Sequence, residues 1–200
     1  MNEENDFRSL VFRHRSYTPL PFLVVMVVFA RPVPWSIVAG ILIMTIGEAL
    51  RFWGVSIVGA ETRTTGRVGG THLITSGPFA YIRNPLYLGN MMLYAGVGIM
   101  SMALFPWLLA AAVLWFYIQY WLIVTREEEY LASTFGDAFG EYVKNVPRFF
   151  PRLTPYRSTL SQPKRTNLRE GLASERRTLQ AIGLVMTALL VVFAVRTWGS

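Results

Sequence analysis

A chain of 200 residues that is 52% hydrophobic and 16% charged falls short of an ordinary water-facing surface, which needs roughly 25% charge. It has no cysteine, which excludes disulfides, thiol nucleophiles and cysteine-held metals; two histidines, His14 and His72, are too few for a histidine-rich metal site, so no metal is expected. A formal charge of +7 on so apolar a chain reads as membrane topology and attraction to anionic lipid rather than as affinity for nucleic acid.

The apolar residues fall into runs, Leu20–Ala30, Val33–Gly47, Leu86–Leu104, Trp107–Val124 and Ile182–Val195, with the charges crowded between them. The pattern predicts an all-α, polytopic membrane bundle of about five helices. Residues 1–17 read as a polar, basic head carrying Arg8, Arg13 and Arg15. A short span from Pro19 to Ala30 follows, less than the roughly 20 residues a perpendicular crossing needs. Because further spans come after it, the first run is expected to be retained and not cleaved as a leader.

The second helix is expected from Pro34 to about Val58, with Glu48 and Arg51 three apart on one face. Their spacing suits either an interfacial salt bridge or the wall of a polar cavity. Residues 59–80 are too polar to cross a bilayer. The third helix begins at Pro85, a residue suited to a first turn because it has no amide hydrogen to leave unpaired, and ends near Ser101. Gly89, Gly96 and Gly98 leave room for close helix contact or for a ligand. Pro106 then opens a fourth helix to about Thr125, and the short link makes helices three and four a hairpin. A helical extension follows from Arg126, broken at Phe135-Gly136, with a second short helix over Asp137–Val146. Residues 152–178 are basic and polar, amphipathic or partly irregular, and a last span covers about Leu179–Val195. Three units result: 1–58, 59–151 and 152–200.

The basic residues assign sides. Three precede the first span, four lie from Arg51 to Arg83 and ten from Arg126 to Arg177, whereas only Arg31 and Arg196 fall on the opposite side. The positive-inside rule puts the head, the 59–84 connection and the 125–178 region in the cytosol, in a cell inner membrane.

That topology gathers two polar groups at one mouth: Tyr81-Ile82-Arg83-Asn84-Pro85-Leu86-Tyr87 entering helix three, and Arg126-Glu127-Glu128-Glu129 leaving helix four. Arginine offers a rigid fork for carboxylate or phosphate, asparagine donates and accepts, and carboxylates hold hydroxyls or an ammonium. On residue chemistry alone, a ligand site and a salt-bridged helical mouth with aromatic anchors both fit.

The same residues carry a resemblance. Gly77-Pro78-Phe79, Tyr81 and Arg83-Asn84-Pro85-Leu86-Tyr87-Leu88-Gly89, followed by Glu127-Glu128, Leu131, Phe135-Gly136, Tyr142, Val146-Pro147-Arg148 and Pro151, resemble the isoprenylcysteine carboxyl methyltransferase and phospholipid methyltransferase superfamily over about residues 66–151. The resemblance implies S-adenosyl-L-methionine as methyl donor and a lipid or lipid-modified acceptor entering from the bilayer. It implies a cofactor pocket built from His72, Leu73, Tyr81, Arg83, Asn84, Tyr87, Gly89, Glu127 and Glu128, with Arg83 and Glu127 as the catalytic pair. Gly136 and Tyr142 would let the extension fold back as a cover. The family's usual histidine is Asn84 here, which cannot take up a proton near neutral pH. The acceptor expected is the carboxylate of a prenylated cysteine or a similar lipid-linked carboxylate. The alternatives are a phospholipid amine acceptor and a non-catalytic membrane scaffold. The last span lies outside the resemblance and serves either packing beside the hairpin or a homomeric contact.

Overall fold

In the computed structural model, residues 7–58, 73–157 and 166–198 are described. Every regular element among them is helical: α1 (Phe7–His14), α2 (Pro19–Val28), α3 (Pro34–Val58), α4 (Pro85–Ser101), α5 (Trp107–Asn145) and α6 (Leu168–Trp198), with one 3-10 turn at Gly77–Ala80. Three helices, α3, α5 and α6, are long and apolar enough to cross a membrane. The other two expected spans are shorter, 10 residues in α2 and 17 in α4.

The closest pairing joins α3 to α4. Gly40 and Gly47 of α3 face Gly96 and Gly89 of α4. A methyl added at Gly40 would lie 2.6 Å from the Gly96 carbonyl oxygen, and one at Gly89 would lie 2.7 Å from that of Gly47. Such reciprocal small residues let two backbones approach closely, which in lipid supplies the packing that the hydrophobic effect does not. The choice left open for Gly89 and Gly96 thus resolves to helix contact with α3. Gly98 packs instead against Leu109 and Met26.

The main core lies where α2, α4, α5 and α6 meet, around Met26, Leu93, Val97, Phe116, Tyr120, Ile123 and Leu189. Tyr94 stacks on Phe116 at 4.1 Å between ring centroids, and Tyr87 meets Tyr120 at 4.9 Å.

Two stretches differ from the sequence expectation. The basic head is helical over α1, which packs on α5 through its apolar side, Val11 and Phe12. The last helix starts at Leu168, eleven residues ahead of the expected Leu179. Asn167 caps it by accepting the Glu170 amide at 3.3 Å, and its first turns dock on α3 where Gly171 lies against Ser56. The expected break in α5 is present: Gly136 has φ 51° and ψ −123° inside an otherwise continuous helix. Glycine alone reaches that conformation without side-chain strain.

Candidate active site

Asn84 precedes Pro85 at the start of α4 and sits in non-helical backbone, so the residues just before it leave the helix and meet α5. On α5, Glu127 and Glu128 follow the apolar run, one turn beyond Ile123 and Val124 of the core. The Gly136 break then turns the chain back. The Arg83 amide donates to the Pro147 carbonyl at 2.9 Å, Arg152 donates to Tyr81 at 2.9 Å and Tyr156 to Ala80 at 2.8 Å. The strip after α5 thereby runs along the strip before α4.

The centre of this junction is a clamp. Arg83 Nη1 donates to the Val143 and Val146 carbonyls, each at 3.0 Å. Its Nε lies 3.1 Å from Glu128 Oε1, off the line of a hydrogen bond, so the two form an ion pair by proximity. Arg148 forks onto the same carboxylate, its Nε 3.2 Å from Oε1 and its Nη2 on Oε2. The Arg148 guanidinium also lies 4.4 Å over the Trp121 ring. Asn84 Nδ2 donates to the Arg148 carbonyl at 3.2 Å. Both halves of the motif are thus tied into one polar knot.

Beside the clamp, Tyr87 Oη donates to Glu127 Oε1 at 2.6 Å, the short length of a charge-assisted bond. A second small core covers the far side: Phe139, Tyr142 and Val146 pack with Leu73, Leu131, Phe135, Val143 and Tyr156. Tyr142 Oη donates to the Phe79 carbonyl at 2.7 Å. Burial pushes its phenol above the ordinary tyrosine value, which keeps it a neutral donor.

The expected residues therefore divide. Arg83, Asn84, Tyr87, Glu127 and Glu128 come together. Leu73 lies on the covering core. Tyr81 faces the Trp53 ring of α3 at 6.1 Å and lends its carbonyl to Arg152. Gly89 is turned to α3, against Gly47 and Arg51. His72 lies outside the described residues. Sequence reasoning quoted Arg148 within the motif without giving it a role; its place after the Pro147 stop was the available signal. Arg15, read only as part of the basic head, lies with its guanidinium 3.9 Å over the Phe12 ring.

A second charged cluster lies between α3, α4 and α6. Arg51 Nη2 donates to both oxygens of Glu175 at 2.9 and 2.8 Å, its Nη1 bonds Asn90 Oδ1, and Glu48 lies 3.5 Å from its Nε. The Glu48 carboxylate oxygens are buried and accept no hydrogen bond among the described residues. Glu48 also borders a groove of about 460 Å³ between α3 and α6, whose other walls include Met44, Phe52, Leu179, Ile182 and Met186.

The comparisons with known proteins fall on the same segment. The phospholipid methyltransferase family profile matches residues 35–138. The cobalt-zinc-cadmium resistance protein CzcN of Cupriavidus metallidurans is 34% identical over 124 residues, covering 62% of this chain and 53% of the relative. The nickel-cobalt-cadmium resistance protein NccN of Alcaligenes xylosoxydans xylosoxydans is 27% identical over 143 residues, 62% of this chain and 66% of the relative. A protein-S-isoprenylcysteine O-methyltransferase of Schizosaccharomyces pombe is 39% identical over 80 residues, 40% of this chain and 33% of the relative. The chain thus spans 53% and 66% of the length of the first two curated relatives. The profile takes in just over half of the chain, from α3 through the Gly136 break, and the chain belongs to the phospholipid methyltransferase family.

Proposed function

We propose that the chain transfers a methyl group from S-adenosyl-L-methionine to a lipophilic acceptor drawn from the bilayer, the carboxylate of a prenylated cysteine or a similar lipid-linked carboxylate. The observation that carries this reading is the Tyr87–Glu127 pair set beside the Arg83–Glu128–Arg148 clamp. The side chains fit the donor's chemistry. Among the described residues, Glu127 accepts one hydrogen bond, from Tyr87, and forms no ion pair, which leaves it acceptor capacity for an ammonium or a hydroxyl. Asn84 spends its amide on Arg148 and keeps its side-chain carbonyl.

Arg83 and Glu128 are largely committed to the protein. Their part is to hold the strips before α4 and after α5 in register, so that Asn84, Tyr87 and Glu127 meet in one place. Tyr81, Leu73 and the Phe139–Tyr142 core cover that place, and Gly89 lets α3 approach it. When bound, the donor supplies an electrophilic methyl group on a sulfonium that departs as a neutral thioether. An ionised carboxylate acceptor is already nucleophilic, so Asn84 in place of a histidine leaves no base missing. What the chain contributes is alignment and exclusion of water.

The groove between α3 and α6 supports lateral entry of an apolar chain. The weight of Lys and Arg on one side favours a cytosolic mouth in a cell inner membrane. A phospholipid amine is the second reading; Glu48, on the wall of that groove, favours it because a carboxylate attracts an amine and repels an acid. Calorimetry with S-adenosylhomocysteine on the chain in nanodiscs tests the first step, and no binding would end the enzyme reading. Labelled methyl transfer to farnesylated cysteine against phosphatidylethanolamine then separates the two acceptors.

A further inference from the structure

Arg15 lies in the turn between α1 and α2, outside every motif residue and outside the profile match at 35–138. Its conformation is fixed by its own neighbours. Nη1 donates to the Phe12 carbonyl at 3.1 Å, and the guanidinium sits 3.9 Å over the Phe12 ring. The turn is pinned to α5 by the Thr18 hydroxyl, 2.7 Å from Gln119 Oε1. Gln119 is 3% exposed and its Nε2 has no partner among the described residues, a buried donor on α5 two turns before Glu127.

Charge balance makes this arrangement unusual. Arg15 meets no carboxylate in ion-pair contact among the described residues, and Glu127 takes only the Tyr87 hydroxyl. Phe12, which lies under the guanidinium, and Tyr87, which donates to Glu127, pack against the same core around Tyr120, Ile123 and Val124, and the guanidinium charge acts on Glu127 and Tyr87 from there. Opposite charges drawn partly out of water usually close on each other, because each loses hydration that the other can offset. Here they flank the same core, one on Phe12 and the other on Tyr87, without closing on each other among the described residues. A ligand that places an ammonium against the carboxylate and a carboxylate against the guanidinium satisfies both, and a planar fork suits the second contact.

We propose that Arg15 is the carboxylate-binding residue of the site, paired with Glu127 as its ammonium counterpart, so that together they hold the zwitterionic amino-acid end of the methyl donor. This rests on the methyl-donor reading above and extends the site to a helix that the family signature does not include. The head helix then completes the pocket, besides packing on α5.

The test uses the full chain in nanodiscs and two calorimetric probes. S-adenosylhomocysteine carries the amino-acid end, and 5′-methylthioadenosine lacks it. Wild type is expected to prefer the first. Arg15→Gln should weaken S-adenosylhomocysteine roughly tenfold or more, the effect of losing one charge-assisted contact, and leave methylthioadenosine unchanged. Arg15→Lys should restore part of the loss, and the exposed neighbour change Arg13→Gln should have no effect. The proposal is overturned if Arg15→Gln weakens both probes equally or neither. It is also overturned if Arg15→Gln spares donor binding but raises KM for farnesylated cysteine, which would assign the guanidinium to the acceptor. A wild type that binds neither probe removes the methyl-donor reading itself, a result distinct from any of these.

Discussion

Two part-buried arginine–carboxylate clusters tie this bundle together, and their charge balance is opposite. At the mouth, Arg83 and Arg148 share one carboxylate, Glu128. Between α3 and α6, one arginine, Arg51, serves two carboxylates, Glu175 and Glu48. The first is tied further by backbone carbonyls, so removing its single anion would strand two cations. The second contains a spare carboxylate beside the one that bonds most closely. A buried charge left unpaired costs far more than a pair contributes, so the two clusters should respond very differently to the loss of one acid.

The largest effect is therefore expected from Glu128→Ala. With Arg83 and Arg148 left facing each other, the cost should be about 3–5 kcal/mol. The readout is the thermal midpoint in detergent, together with loss of S-adenosylhomocysteine binding as the strips before α4 and after α5 come apart. Glu175→Ala should cost well under half of that, because Glu48 stands ready to pair with Arg51. Equal losses in the two variants would break the comparison.

Tyr87→Phe comes next, and its effect should fall on the site more than on the fold. It deletes the 2.6 Å donor to Glu127 without creating a cavity. A hydrogen bond to a charged group contributes about 1.5–3 kcal/mol, so roughly a tenfold or larger loss of kcat/KM is expected, with the thermal midpoint nearly kept. A large stability loss with unchanged turnover would move Tyr87 into the same structural class as Arg83.

How much of this was legible differs between the clusters for a physical reason. The mouth draws on residues at the start of α4, on α5 where its apolar run gives way to charge, and just after the end of α5, so motif spacing and the Pro85 and Pro147 punctuation place its parts together. The Gly136 break was equally readable, since Phe135-Gly136 interrupts a helical pattern. The inner cluster joins residues 124 apart in sequence, Arg51 and Glu175. Nothing local to Glu175 marks it as buried, because it stands in a run of arginines and glutamates that reads as a solvated surface. The α3–α4 contact did leave a trace. Gly40 and Gly47 repeat at seven residues, as do Gly89 and Gly96, but only the structure pairs the two sets. The first turns of α6 were left within a basic segment read as amphipathic or partly irregular, because charge density hid their helix-forming Leu, Ala, Glu and Arg residues.

The smallest predicted effect tests the break at Gly136 in the extension that packs over the mouth. Gly136 and Gly140 are neighbours on the α5 extension, and a methyl added at either meets nothing within 4 Å. Space therefore cannot distinguish them, and only backbone does. Gly136 has φ 51°, where a side chain is strained whatever its surroundings, while Gly140 carries no such angle. Gly136→Ala should cost about 1–3 kcal/mol, and Gly140→Ala should stabilise by about 0.5–1 kcal/mol through a better helix propensity. The pair is read by thermal midpoint and by protease sensitivity of the segment after Phe135. If both changes stabilise, the bend at Gly136 is not required. The Arg83–Glu128–Arg148 clamp and the 2.9 Å bond from Arg83 to Pro147 would then not depend on that glycine.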